Sequence, residues 1–265
     1  MPTVEFATQD FMNLLGGRDV SLEELTESIP MIGVSLDFLD AEKMVLEVFP
    51  NRTDMLSVEG FARAFKGFFG IEKGPVSYPV KPSDIVMYVD PSVERVRHYV
   101  VAAQIDGVTI DDAQLRSIMS MQEKLHTTHG RNRVKVAIGV HDSDEITPPY
   151  TFKAVKPANI SFVPLDMAEP MNLSDILKKH PKGVGYAFTL AGLKTYPVIV
   201  DAKGSVLSFP PIINGELTRV SEETKNLFVE VTGWHMPSLH QALNIVVSSI
   251  ADRGGTIRSV EIASK

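Results

Sequence analysis

The chain has 265 residues, 44% of them hydrophobic and 22% charged, with no cysteine and a formal net charge of -7. That length can bury one large core or two small ones, and the composition is that of a globular chain rather than a disordered one. Without cysteine there can be no disulfide, thiol nucleophile or cysteine-held zinc, and the acidic balance leaves RNA only a local patch to contact. The N-terminus "MPTVEFATQD" lacks a basic segment followed by an apolar one, and no apolar run approaches the ~20 residues that span a bilayer. A cytoplasmic chain is expected.

In chain order, "ATQDFMNLLGG" puts Phe11, Leu14 and Leu15 at helical spacing before Gly16 and Gly17, and "SLEELTESI" opens with a capping box, Ser21 to Glu24. These predict two short helices. "KMVLEVF", Lys43 to Phe49, alternates as a strand, and "PNRTDMLSVEGFARAFKGFFG" continues as a helix with Met55, Leu56, Phe61, Phe65 and Phe69 on its apolar face. "IEKGPVSYPVKPS" has prolines and little period, so an extended linker and a domain boundary near Ser83 are expected. Beyond it, "RHYVVAAQIDGVTI" reads as a strand, "DDAQLRSIMSMQEKLHTTHG" as an amphipathic helix and "RVKVAIGVHD" as a second strand. "YPVIVDAKGSVLSF" reads as a hairpin turning at Ala202 to Ser205, and "LTRVSEETKNLFVEV" as two strands around a polar turn. "MPSLHQALNIVVSSIADRGG" gives a long helix with Pro237 in its first turn and paired glycines at its end, and "TIRSVEIA" a closing strand. The expected fold class is α+β: a small N-terminal α/β domain over residues 1–83, then a larger mixed sheet-and-helix domain over 84–265.

Generic chemistry finds little purchase. His126 and His129 lie three apart, whereas a zinc pair of the HExxH type needs a spacing of four and a third ligand, so solvated surface histidines are the expectation and no metal is assigned. "VHDSDE", His141 to Glu145, lacks the glycine and distal glutamate of a calcium loop and reads as a polar turn after a strand. There is no phosphate-binding glycine loop and no serine nucleophile elbow. Lys124, Arg131, Arg133 and Lys135 in "EKLHTTHGRNRVK" could contact phosphates, and read equally well as a solvated helix end.

Specific strings carry more. "MPTVEF", "PNRTDMLSVEGFARA", "QEKLH" followed by "RNRVKVAIGVHD", "YPVIVDAKGSVLSFPPIING" and "TRVSEETKNLFVEVTGW" together resemble, in order and spacing, the N-terminal half of the archaeal and eukaryotic type of phenylalanyl-tRNA synthetase beta subunit. The resemblance implies that residues 84–265 form the editing domain, which hydrolyses the ester of tyrosine wrongly attached to tRNA(Phe). It also implies an alpha subunit as partner, and ATP and magnesium for the intact synthetase. For this stretch it implies no cofactor, no ligase activity alone, and no membrane or DNA partner. The alternative is a non-catalytic tRNA- or subunit-binding module of the same synthetase. An unrelated hydrolase lacks a recognisable nucleophile.

An apolar pocket for phenylalanine rejects an analogue bearing an extra hydroxyl only about 10²-fold, so a second, hydrolytic site must demand that hydroxyl. In "FVEVT" a period of two places Glu230 and Thr232 on one strand face. By resemblance these two sit at the tyrosine-editing positions, where archaeal members often carry Asp in place of Glu230. Ser208 and Ile199 line the same site, and Asn214 and Gly215 make the turn after the rigid "FPPII" wall. Read without the resemblance, Glu230 and Thr232 fit an exposed edge strand, and Ser208 a turn or cap. The bacterial branch has a histidine near this pocket, and "PPYTFKAV" supplies none. A positioned water is therefore the expected nucleophile, with the terminal ribose hydroxyl assisting. Arg131, Arg133, Lys135 and Arg219 are the expected tRNA phosphate contacts.

Overall fold

The computed structural model describes residues 2–16, 18 and 20–265. Its first part is a three-stranded antiparallel sheet of β1 (Thr3–Ala7), β2 (Ser35–Leu39) and β3 (Lys43–Glu47), with β3 in the middle. Alternation in the sequence builds it: Val4, Phe6, Met44 and Leu46 point to the buried face. Helices α1 (Thr8–Leu14), α2 (Leu22–Ser28) and α3 (Val58–Phe68) complete this part. Phe61 of α3 lies 6.1 Å from Phe6 and 5.3 Å from Phe11, ring centre to ring centre, so aromatic contacts tie helix to sheet. Ser21 accepts from the Glu24 N–H at 3.1 Å, as its capping box predicts. The strands β1 and β2 are additions to the sequence reading, and Gly17 lies outside the described residues.

From residue 86 the chain builds two packed sheets. Their elements are β4 (Val86–Val89), β5 (Tyr99–Asp106), α4 (Asp112–Thr127), β6 (Val136–Asp142), β7 (Tyr150–Val155), β8 (Ser161–Phe162), β9 (Met171–Asn172), α5 (Leu173–Lys179) and α6 (Pro181–Tyr186). There follow β10 (Tyr196–Val200), β11 (Val206–Phe209), β12 (Ile213–Asn214), β13 (Asn226–Gly233), α7 (Met236–Ala251), β14 (Thr256–Ser259) and β15 (Glu261–Ser264). One sheet is antiparallel in the order β14-β5-β13-β6; the other is mixed, β12-β11-β10-β7-β4-β15, and β8 pairs only with β9. The architecture is the α+β one expected, with three differences in detail: the helix expected from Pro50 breaks at extended Ser57 into a 3-10 turn, Thr53–Leu56, and α3, and the other two follow. "LTRV" is a 3-10 turn over Glu216–Thr218 rather than a strand, and "TIRSVEIA" is two strands that switch sheets at Val260.

The antiparallel sheet is covered on both faces. Val229 and Val231 of β13 pack with Leu239, Ala242 and Val246 of α7, while Phe228 packs with Tyr150, Phe152, Ile199 and Leu207 of the mixed sheet. A strand buried on both sides reads as a near-continuous apolar run, which "NLFVEVTG" is except at Asn226, Glu230 and Thr232. No helix among the described residues is long and apolar enough to cross a membrane.

The first part docks on α7 through groups that leave water together. Ser57 and Ser249 share a hydroxyl hydrogen bond of 2.9 Å, Arg63 meets Asp252 at 2.6 Å, and Arg253 bridges Asp10 at 2.6 Å and buried Glu59. Removing Arg253 strands the Glu59 carboxylate away from solvent. Arg253→Ala is expected to destabilise the chain by about 3–5 kcal/mol, read as a lower urea midpoint, while Arg253→Ala with Glu59→Gln recovers part of that loss.

Candidate functional site

β13 is an inner strand, so Glu230 and Thr232 are not the solvent-facing pair that an edge strand would give. Glu230 is 2% exposed and Thr232 fully buried, both on the face turned to the mixed sheet. Ser208 of β11 donates to Glu230 Oε1 at 3.2 Å, a hydrogen bond that crosses the gap between the sheets. Gly139 stands directly opposite Glu230 in the register; a Cβ there would lie 2.5 Å from Glu230 Oε1 and 2.6 Å from His141 Nε2. Only glycine leaves that space open.

His141 is the residue that sequence reasoning missed. It lies on β6, fully buried, with Nδ1 2.8 Å from Thr218 Oγ1 and Nε2 3.9 Å from Glu230 Oε1, too long for a hydrogen bond. Its signal was alternation: in "GVHD" Gly139 and His141 fall on one face of the strand. Glu230 Oε2 and His141 Nε2 both lack a hydrogen-bond partner. On the other side of Glu230, buried Arg97 donates from Nε to Thr232 Oγ1 at 2.8 Å and from Nη2 to the Thr232 carbonyl at 2.8 Å. Burial pulls the Arg97 pKa down to about 10, against the opposing attraction of Glu230, so Thr232 holds a cation beside the carboxylate.

A cavity of about 410 Å³ opens from Glu230 along the edge of the antiparallel sheet. β6 is that edge, and an edge strand presents unpaired backbone groups. Side chains satisfy them: Ile138 N–H donates to His126 Nε2 at 2.8 Å, Gln122 donates to the Ile138 carbonyl at 2.7 Å, and Asn214 donates to the Val140 carbonyl at 3.1 Å. Gln122 and His126 come from α4, whose spacing of four turns both to the strand. Because Nε2 of His126 accepts, its proton sits on Nδ1. Burial lowers the His126 pKa from 6.5 to about 4, so the ring is neutral at pH 7.

The site residues expected from sequence divide by place. Glu230 and Asn214 line the cavity, whereas Ser208, Thr232 and Ile199 lie in the packed layer behind it. Ile199 pairs with Ser208 across β10 and β11. Gly215 does not form the hairpin turn: it has φ -76°, and its N–H donates to the Leu207 carbonyl at 2.7 Å. The turn lies instead at Pro210 to Ile212, which contains a cis peptide before Pro211.

The expected phosphate contacts also divide. Arg133 is buried, donating to the carbonyls of Pro211 at 3.3 Å and Ile212 at 2.8 Å and to Glu123 at 3.0 Å, with Tyr186 4.1 Å from the guanidinium carbon. Arg219 is clamped by Asp166 at 2.6 Å and Glu216 at 2.6 Å. Arg131 is exposed and Lys135 half-buried, and neither forms an ion pair among the described residues. Arg131, Asn132 and Arg133 all have left-handed φ, +49°, +53° and +66°, at a cost of about 1–2 kcal/mol per residue that Arg133's anchoring offsets. His126 and His129 do not converge on a common point, since His129 Nε2 meets the Ser238 carbonyl at 2.9 Å.

Residues 114–263 match the family described as the B3/4 domain. The crystal structure of an N-terminal fragment of the phenylalanyl-tRNA synthetase beta-subunit from Pyrococcus horikoshii superposes with a TM-score of 0.95 at 40% identity, covering 100% of this chain and 77% of that one. The chain belongs to the phenylalanyl-tRNA synthetase beta-subunit family. Phenylalanine–tRNA ligase beta subunits from Archaeoglobus fulgidus and Methanococcoides burtonii are 46% and 44% identical over 99% of this chain. The chain spans about half the length of these curated relatives, 47% and 48%.

Two outcomes are expected. Gly139→Ala costs about 1–3 kcal/mol by overpacking, seen in the urea midpoint, and displaces the Glu230 side chain. His126 binds a proton more readily unfolded than folded, so it contributes stability that is present above pH 6.5 and lost as pH falls towards about 4. The slope of stability against pH over that window therefore flattens in His126→Gln.

Proposed function

We propose that this chain carries the editing site of a phenylalanyl-tRNA synthetase and hydrolyses the ester of tyrosine misattached to tRNA(Phe). One observation carries the reading. Glu230, with an unpartnered Oε2, forms part of the wall of a cavity whose apolar lining includes Ala137, Ile138, Val140, Phe209 and Ile212. An aromatic ring fits such apolar walls, and a phenol hydroxyl donates to the waiting carboxylate. Phenylalanine leaves that buried acceptor unmatched, at a cost of about 1.5–3 kcal/mol, which corresponds to roughly 10- to 150-fold discrimination.

The rest of the network holds Glu230 in place: Ser208 donates to one carboxylate oxygen, Gly139 clears the space, and the Arg97–Thr232 pair sets a positive charge alongside. Among the described residues Thr218 is the only hydroxyl side chain in the cavity wall, and its oxygen already meets His141 Nδ1. A water molecule therefore attacks the ester carbonyl, assisted by the terminal ribose hydroxyl, and the protein contributes orientation. Residues 84–265 would act as the editing domain, in the cytoplasm, beside an alpha subunit that supplies aminoacylation with ATP and magnesium; none of that chemistry is placed on this chain. The alternative of a non-catalytic tRNA- or subunit-binding module gains nothing from Arg133 and Arg219, both engaged internally.

The test is ester loss from Tyr-tRNA(Phe) and Phe-tRNA(Phe) with the chain and its Glu230→Ala and Glu230→Gln variants. Faster loss of tyrosine than phenylalanine is expected, with the ratio falling about 10-fold or more in both variants. Equal loss of the two esters from the unaltered chain would sink the reading.

A further inference from the structure

Three segments meet at one end of the antiparallel sheet, where β13 stops at Gly233 between Tyr99 of β5 and Val136 of β6. Residues 94–98 lead into β5, residues 128–135 lead into β6, and Trp234 begins the turn from β13 to α7. The segments touch one another. Arg97 donates to the Arg133 carbonyl at 3.3 Å, Trp234 N–H donates to the Lys135 carbonyl at 3.4 Å, and His129 Nε2 lies 2.9 Å from the Ser238 carbonyl.

Positive charge collects here in a chain whose net charge is -7: the first two segments hold Arg95, Arg97, Arg131, Arg133 and Lys135 against a single acidic residue, Glu94. Arg97 and Arg133 are buried and committed to Thr232 and to the Pro210 loop. Arg95 and Arg131 are exposed and Lys135 half-buried; none of the three lines the cavity or forms an ion pair among the described residues. Beside them stands Trp234, the only tryptophan of the chain, 47% exposed. Tryptophan is a residue of interfaces, and the free cations around this one decide the partner. An apolar protein surface would have to strip water from three unpaired charges, whereas an unpaired nucleic-acid strand brings phosphates for the charges and a base face for the ring.

We propose that this end of the sheet holds an unpaired RNA strand outside the cavity, with one base stacked on Trp234 and the neighbouring phosphates on Arg95, Arg131 and Lys135. Stacking between basic groups tolerates any base, because every base has a π face, so the contact carries affinity rather than sequence choice. The editing reading enters only in the choice of RNA; the contact itself needs no hydrolysis.

Because Trp234 is the only tryptophan, its fluorescence reports the contact in the unaltered chain. Titration with an adenosine oligoribonucleotide of about eight residues is expected to quench it to saturation, and inorganic polyphosphate, which has the charge and no base, to displace the strand without quenching. With the same strand labelled and read by anisotropy, Trp234→Ala weakens binding about 5- to 150-fold, the loss of one base–aromatic stack, and Trp234→Phe recovers most of it. Arg131→Asn and Lys135→Gln each reduce the steepness of log affinity against log salt by about 0.7. Asparagine tolerates the left-handed backbone at Arg131, φ +49°, so the charge is removed without the turn. No quenching by the strand, equal quenching by polyphosphate, or Trp234→Ala binding within twofold of the unaltered chain overturns the proposal; the last two outcomes assign Trp234 to a protein partner or to a shape change. No ester takes part in these measurements, so their failure leaves the editing reading standing, and equal loss of the two esters leaves this contact standing.

Discussion

A carboxylate on the inner strand of a sheet covered on both faces is the constraint from which the site follows. Glu230 cannot reach bulk water, so its surroundings must supply donors, space and countercharge. Ser208 supplies a donor from the facing sheet, Gly139 supplies space by having no side chain, and Arg97 supplies charge. These come from two strands, β11 and β6, and the segment before β5. Their positions are set by strand register rather than by proximity in sequence, which is why a one-residue slip of β6 would put Ile138 or Val140 where Gly139 must be.

The second constraint is the open edge of β6. α4 is placed so that Gln122 and His126 complete the edge's hydrogen bonding, and the loop at Pro210 to Ile212 is tied back to α4 by Arg133. The same side chains that close the sheet edge thus wall the cavity. Burial, which is costly for polar groups, is here what leaves His126 neutral, and the Ile138 N–H fixes its tautomer.

Much of this was legible in the sequence, and the rest was hidden for identifiable reasons. Period-two alternation correctly set Glu230 and Thr232 on one face, and capping signals placed α2, α4 and α7. The depth of Glu230 was not legible, because a strand sequence does not say whether it lies at an edge or inside, and only the partners β5 and β6 decide that. His141 looked like part of a polar turn because Asp142, Asp144 and Glu145 follow it, although the strand runs through Asp142 before turning. The Arg131 to Lys135 cluster looked like a solvent-facing phosphate patch because composition counts charges without their partners. Arg133 turned inward once the left-handed turn carried it towards the Pro210 loop.

The chain crosses from one sheet to the other at Val260, with β14 hydrogen-bonded to β5 and β15 to β4. β5 is the immediate neighbour of β13, so this crossing works like the hinge pin of a calliper whose jaws are Glu230 and Ser208. The spacing of the jaws is thereby referred to a point formed by the final strands, two strands across the sheet from Glu230. The aperture of the site is a property of how the two sheets are clamped, not only of the side chains that line it.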